Sequence, residues 1–154
     1  MRLAAVSEAA REAATGVAPF DVALDGLGHF SARGQPTVVW LRAGIGADDL
    51  LALGARVRAA LRARQVPFDD KAFRPHVTLA RVKRALDPAA VPELVAALAA
   101  VPPPTLRFRA DALHVVESRL SPKGPRYSSS HVVRLAARRA DRLARPPAPR
   151  GGES

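Results

Sequence analysis

Arg74-Pro75-His76-Val77-Thr78-Leu79-Ala80-Arg81 is the most informative stretch of the chain. After a loop, the alternating residues predict a strand over His76 to Val82. Side chains alternate faces along a strand, so His76, Thr78 and Ala80 point one way and Val77, Leu79 and Arg81 the other. An imidazole and a hydroxyl two residues apart on one face can grip one tetrahedral anion. Histidine moves a proton near neutral pH. A threonine hydroxyl donates to a phosphoryl oxygen, most usefully as charge builds in a transition state. Arg81 lies at the strand's end, where the alternation can relax, and its guanidinium suits phosphate oxygens. A His-x-Thr triplet by itself is a weak signal, and His29-Phe30-Ser31 is a second instance of the type.

Outward from this strand, helix and strand patterns interleave. Arg2 to Thr15 has helical period with Leu3, Val6 and Ala10 on one side, and Gly16 can stop it. Phe20 to Leu24 alternates as a half-buried strand. Gly26 to Pro36, with three glycines and a proline, predicts a loop. Thr37 to Leu41 is a strong β-former. Asp48 or Asp49 caps a helix reaching about Arg64, with Leu50, Leu53, Val57 and Leu61 on one stripe. A further helix begins at Asp87-Pro88, carried by Val91, Leu94, Val95 and Leu98, and ends at Pro102. Leu106 to Glu117 reads as strand with a bend near Asp111. Ser121 to Arg126 is a turn, and Tyr127 to Leu135 is the last strand. The expected fold class is α+β, mostly antiparallel sheets with helices packed outside.

The chain has 154 residues, 24 Lys and Arg against 14 Asp and Glu, a formal net charge of +10, and no Cys. That length holds one domain with a real core. The charge favours polyanionic partners, nucleic acid first. The missing cysteines exclude disulfides, thiolate chemistry and Cys-type zinc sites. No apolar run approaches the roughly 20 residues of a membrane-spanning helix, and Glu8, Arg11 and Glu12 interrupt any signal-peptide pattern. The expectation is a cytoplasmic protein without membrane partner. Residues 136–154, rich in Arg, Pro and Gly, read as a disordered basic tail on a domain of residues 1–135.

The longer string around His76 resembles the second signature of the two-histidine (2H) phosphoesterases, closest to the bacterial RNA 2′,3′-cyclic phosphodiesterases, also called 2′-5′ RNA ligase-like proteins. Pro19-Phe20 leading to Gly26-Leu27-Gly28-x-Phe30 and Val38-Val39-Trp40-Leu41 resembles the family's central strand pair. Leu113 through Ser118-Arg119-Leu120 and Gly124-x-x-Tyr127 resembles its C-terminal hairpin. The resemblance implies a two-lobed fold with one His-x-Thr/Ser motif per lobe. It implies metal-free, cofactor-free opening of RNA 2′,3′-cyclic phosphate ends to 2′-phosphates, with RNA bearing such ends as partner and a monomer as the complete protein. It assigns His76 as proton acceptor, Thr78 as phosphate donor and Arg81 as substrate contact. The reverse reaction, 2′-5′ ligation, uses the same chemistry.

The family's first motif should precede the opening helix, and this sequence holds no other string of that pattern. The first lobe is expected to be incomplete and Met1 not to be the true start. The alternative is a catalytically weak or inactive RNA-binding remnant. His29 reads as a surface-loop residue. His114 and His131 read as sheet residues, and Trp40 and Tyr127 as packing residues that could also stack on a base. Lys83 and Arg84 could steer a phosphate or lie in a solvated turn.

Overall fold

The computed structural model describes residues 2–102, 105–122 and 124–136, in the order α1 (Arg2–Ala14), β1 (Phe20–Ala32), β2 (Gln35–Ala43), α2 (Ala47–Ala63), β3 (His76–Arg81), α3 (Ala90–Ala100), β4 (Leu106–Ala110), β5 (Ala112–Ser121) and β6 (Gly124–Arg134). The basic tail, but for Ala136, lies outside the described residues. The fold is α+β: a four-stranded antiparallel sheet in the order β3-β2-β1-β4, and a two-stranded antiparallel sheet of β5 and β6. They belong to two compact units. One comprises residues 20–55 and 68–110; the other comprises residues up to 19, 56–67 and from 111 onward.

In the four-stranded unit, the core follows from pairing register. Leu24 pairs with Ala43 and Leu27 with Leu41, with a bulge at Asp25 between them. The extra residue keeps Leu24 and Leu27 on one face despite their odd spacing. Val22, Leu24, Leu41 and Ala43 are buried there, against Phe20, Ala47 and Leu50. The stripe predicted on α2 is confirmed, with Leu53 buried and Leu50 and Val57 half-buried. Val91, Leu94, Val95 and Leu98 form the half-buried side of α3, which packs on β1.

The loop expected over Gly26 to Pro36 is strand instead. β1 continues to Ala32 and turns only at Arg33-Gly34, with φ of 51° and 77°. Two positive φ values in a two-residue connection make the mirror-image turn that matches strand twist. The glycines at 26 and 28 misled because they serve clearance, not turning. A Cβ at Gly28 would sit 2.6 Å from the Trp40 indole, and one at Gly26 would collide with the Arg42 side chain.

In the other unit, α1 packs on β5 and β6. The side expected from Leu3, Val6 and Ala10 is the packed one: Val6 is half-buried and Ser7, Ala9, Ala10, Ala13 and Ala14 are buried around that line, while Leu3 in the first turn is exposed. The buried side is mostly alanine, and small side chains let a helix approach its partner closely. Arg64 pairs with Glu12 at 2.6 Å, and Arg56 donates to the Thr15 carbonyl at 2.6 Å, tying the end of α2 to α1. The strand expected through Asp111 breaks there, with β4 joining one sheet and β5 the other.

Candidate anion-binding face on the four-stranded sheet

β3 is the edge strand of its sheet, paired to β2 through Arg42↔His76, Leu41↔Val77, Trp40↔Thr78, Val39↔Ala80 and Val38↔Arg81. Directly opposed residues share a face. His76 and Thr78 therefore share one face with Arg42 and Trp40, opposite the buried side of Leu41 and Ala43. Simple alternation would leave Arg81 behind the sheet. The register instead slips between Val39 and Trp40, leaving Leu79 as the extra residue of a bulge. Beyond it Arg81 is opposite Val38, two residues from Trp40, and so returns to the face of His76 and Thr78. All three residues singled out in the sequence come together, and the bulge is what unites them.

His76 is exposed and oriented. Its Nδ1 lies 2.6 Å from the Arg74 carbonyl oxygen. That oxygen can only accept, so Nδ1 carries the hydrogen, and in the neutral ring Nε2 presents a lone pair. The ring sits edge-on to Phe30 with centroids 5.0 Å apart, and 6.2 Å from Trp40; Phe30 and Trp40 are 5.1 Å apart. These two aromatics hold the imidazole from below while Gly28 leaves room for the indole. The Trp40 Nε1 is buried with no hydrogen-bond partner among the described residues. Thr78, Arg81 and Arg42 are exposed, and among the described residues none of their side chains has a hydrogen bond or ion pair. Thr78 and Arg81 are thus unspent donors on the strand of the imidazole, with Arg42 a third on the same face farther off, over β1.

The other histidines are elsewhere. His29 pairs with Val39, which puts it on the face opposite His76, on a strand and not in a loop. His114, as expected of a sheet residue, has Nδ1 3.3 Å from Ser129 Oγ. His131 is half-buried opposite Val115. Tyr127, expected to pack, is 70% exposed. Among the described residues no group of three or more His, Asp or Glu is placed to hold a metal ion, and no helix is long and apolar enough to cross a membrane. A pocket of about 370 Å³ lined by Asp21, Val22, Ile45, Arg107 and Phe108 lies at the β4 edge of the sheet, the far side from His76. Neither Arg42 nor a packing role for Phe30 was expected from the sequence. The available signal was Gly26-x-Gly28 on a strand facing Arg42 and Trp40.

The fold places a His-x-Thr pair on the edge strand of an antiparallel sheet. A model of the 2′-5′ RNA ligase superfamily matches residues 1–121. The RNA 2′,3′-cyclic phosphodiesterase of Aeropyrum pernix is 30% identical over 118 residues, which are 77% of this chain and 66% of that protein. The Thermus thermophilus protein of the same name is 34% identical over 117 residues, 72% of this chain and 53% of its own length. This chain therefore spans less than two thirds of either relative. Among solved structures, TT0787 of Thermus thermophilus superposes with a TM-score of 0.61 at 31% identity, covering 88% of this chain and 68% of that one. Escherichia coli LigT complexed with 3′-AMP gives 0.64 at 21% identity, covering 87% and 68%, a likeness of fold. The chain belongs to the 2′-5′ RNA ligase superfamily, the 2H phosphoesterases.

Proposed function

We propose that the protein opens RNA 2′,3′-cyclic phosphate ends to 2′-phosphomonoesters, in the cytoplasm and without metal, with His76 as proton acceptor. The observation that supports this is one face carrying an oriented imidazole with a free Nε2 beside Thr78 and Arg81. His76 Nε2 takes a proton from water as the water oxygen bonds to phosphorus. The bond from phosphorus to the 3′-oxygen breaks, and that oxygen receives a proton. The Thr78 hydroxyl and Arg81 guanidinium donate to the non-bridging oxygens, whose charge grows in the transition state. By the family plan the leaving oxygen's proton comes from a second His-x-Thr/Ser histidine; the further triplet of that type here, His29-Phe30-Ser31, has its histidine on the face opposite His76. Ligation of a 2′,3′-cyclic end to a 5′-hydroxyl is the same path reversed.

The experiment is hydrolysis of a short RNA with a 2′,3′-cyclic end, comparing the wild type with His76→Ala. Conversion to the 2′-phosphate that the substitution removes supports the reading. Binding of that RNA without conversion supports instead an RNA-binding remnant, favoured by the +10 charge and the unpaired arginines of this face. Conversion that survives His76→Ala excludes the proposed role.

A further inference from the structure

We infer that Arg42 is a second phosphate contact, holding the phosphate one nucleotide upstream of the reacting end, so that the site selects oligonucleotides over single nucleotides. The inference rests on the reading of this face as a phosphate site. Arg42 is directly opposite His76 and shares its face. Its side chain runs away from β3: the stem lies across Gly26 of β1, where any Cβ would collide with it. β3 and β1 are two strand spacings apart, about 10 Å. The guanidinium is therefore carried beyond reach of oxygens held at Thr78 and Arg81, but remains on the same open face. Gly26 clears the path for the stem, as Gly28 does for Trp40.

Charge leads to the same assignment. Arg109 is paired with Asp21 at 2.9 Å and Arg134 with Asp111 at 2.7 Å. Arg42 is exposed and has no acidic or carbonyl partner among the described residues. The adjacent carboxylate, that of Asp25, is turned over Gly44. An unpaired guanidinium on a bare strand, set apart from a His-Thr-Arg group along one face, is complementary to a chain of phosphates. Between Arg42 and Arg81 along β2 lies Trp40, with Phe30 beside it at 5.1 Å, a surface on which the intervening nucleoside can rest.

The test is equilibrium binding of two ligands that no turnover consumes, adenosine 2′-phosphate and a diadenosine nucleotide ending in a 2′-phosphate. Arg42→Ala is expected to weaken the dinucleotide about tenfold, the size of one exposed charge-assisted hydrogen bond. The slope of log affinity against log salt should fall by about 0.7, one single-strand phosphate contact. The mononucleotide should change less than twofold. Arg42→Lys, which keeps charge but not the fork, should retain the salt slope. Equal losses for both ligands, or for neither, overturn the inference. His76→Ala separates the two levels: if it weakens both ligands while Arg42→Ala weakens neither, the phosphate site stands and the second contact falls. If the wild type binds neither ligand, both fall together.

Discussion

In the four-stranded sheet, Leu24, Leu41 and Ala43 are buried on one face while His76, Thr78, Arg81 and Arg42 stand open on the other. In the β5–β6 hairpin, Leu113, Val115 and Val133 form the half-buried face, where α1 packs on the sheet. Val116, Leu120, Tyr127 and Val132 stand open on its other face, with Leu120 90% exposed. Both sheets are one-sided, and exposure does not distinguish them. The chemistry of the open face does. One presents an oriented lone pair and unpaired cationic donors, a place for an anion. The other presents hydrocarbon, with a histidine already engaged by Ser129. The comparison predicts that losses of chemistry fall on the first open face and losses of stability on the buried ones.

The largest effect should come from His76→Ala, which removes the proposed base and should slow cyclic-phosphate hydrolysis by about 10²–10⁴-fold. His114→Ala, on the hairpin, should change the rate by less than about threefold; an equal loss there would erase the contrast between the sheets. Leu41→Ala empties a site only 1% exposed and should cost about 2–5 kcal/mol in denaturant unfolding. Thr78→Val keeps the shape of the exposed side chain and deletes its hydroxyl. It should lower kcat about 10²-fold with the unfolding midpoint unmoved. Gly28→Ala drives a methyl group into the Trp40 ring and should cost about 1–3 kcal/mol. Since Trp40 is the one tryptophan, its fluorescence should shift in the same variant. Leu120→Ser on the open hairpin face should stay within about 0.5 kcal/mol of the wild type.

Much of this was legible in the residues. The helices of residues 47–63 and 90–100 follow from apolar spacing, and His76 and Thr78 follow from a strand begun after Pro75. Two kinds of information were not. Bulges are invisible to alternation: the one at Leu79 brings Arg81 to the site face, and the one at Asp25 keeps Leu24 and Leu27 together. Glycine carries two meanings that sequence does not separate. At Gly34 it supplies the positive φ of a turn, whereas at Gly26 and Gly28 it makes room for a neighbour's side chain, so a strand resembled a loop. Arg42 escaped notice for the same reason, since its importance lies in what the facing strand lacks. On α1, the side of Leu3, Val6 and Ala10 is the packed one, but alternation of period 3.6 does not say where along the helix packing begins, and Leu3 in the first turn is exposed.

The central claim is that the open face of the four-stranded sheet holds a phosphate end. The most direct measurement is an NMR titration of the folded protein with adenosine 2′-phosphate, following the histidine rings and the Thr78 amide. The account predicts saturable shifts of His76 and Thr78, with His114 and His131 of the hairpin unmoved. Shifts confined to His114 and its neighbours, or none at His76, would contradict it.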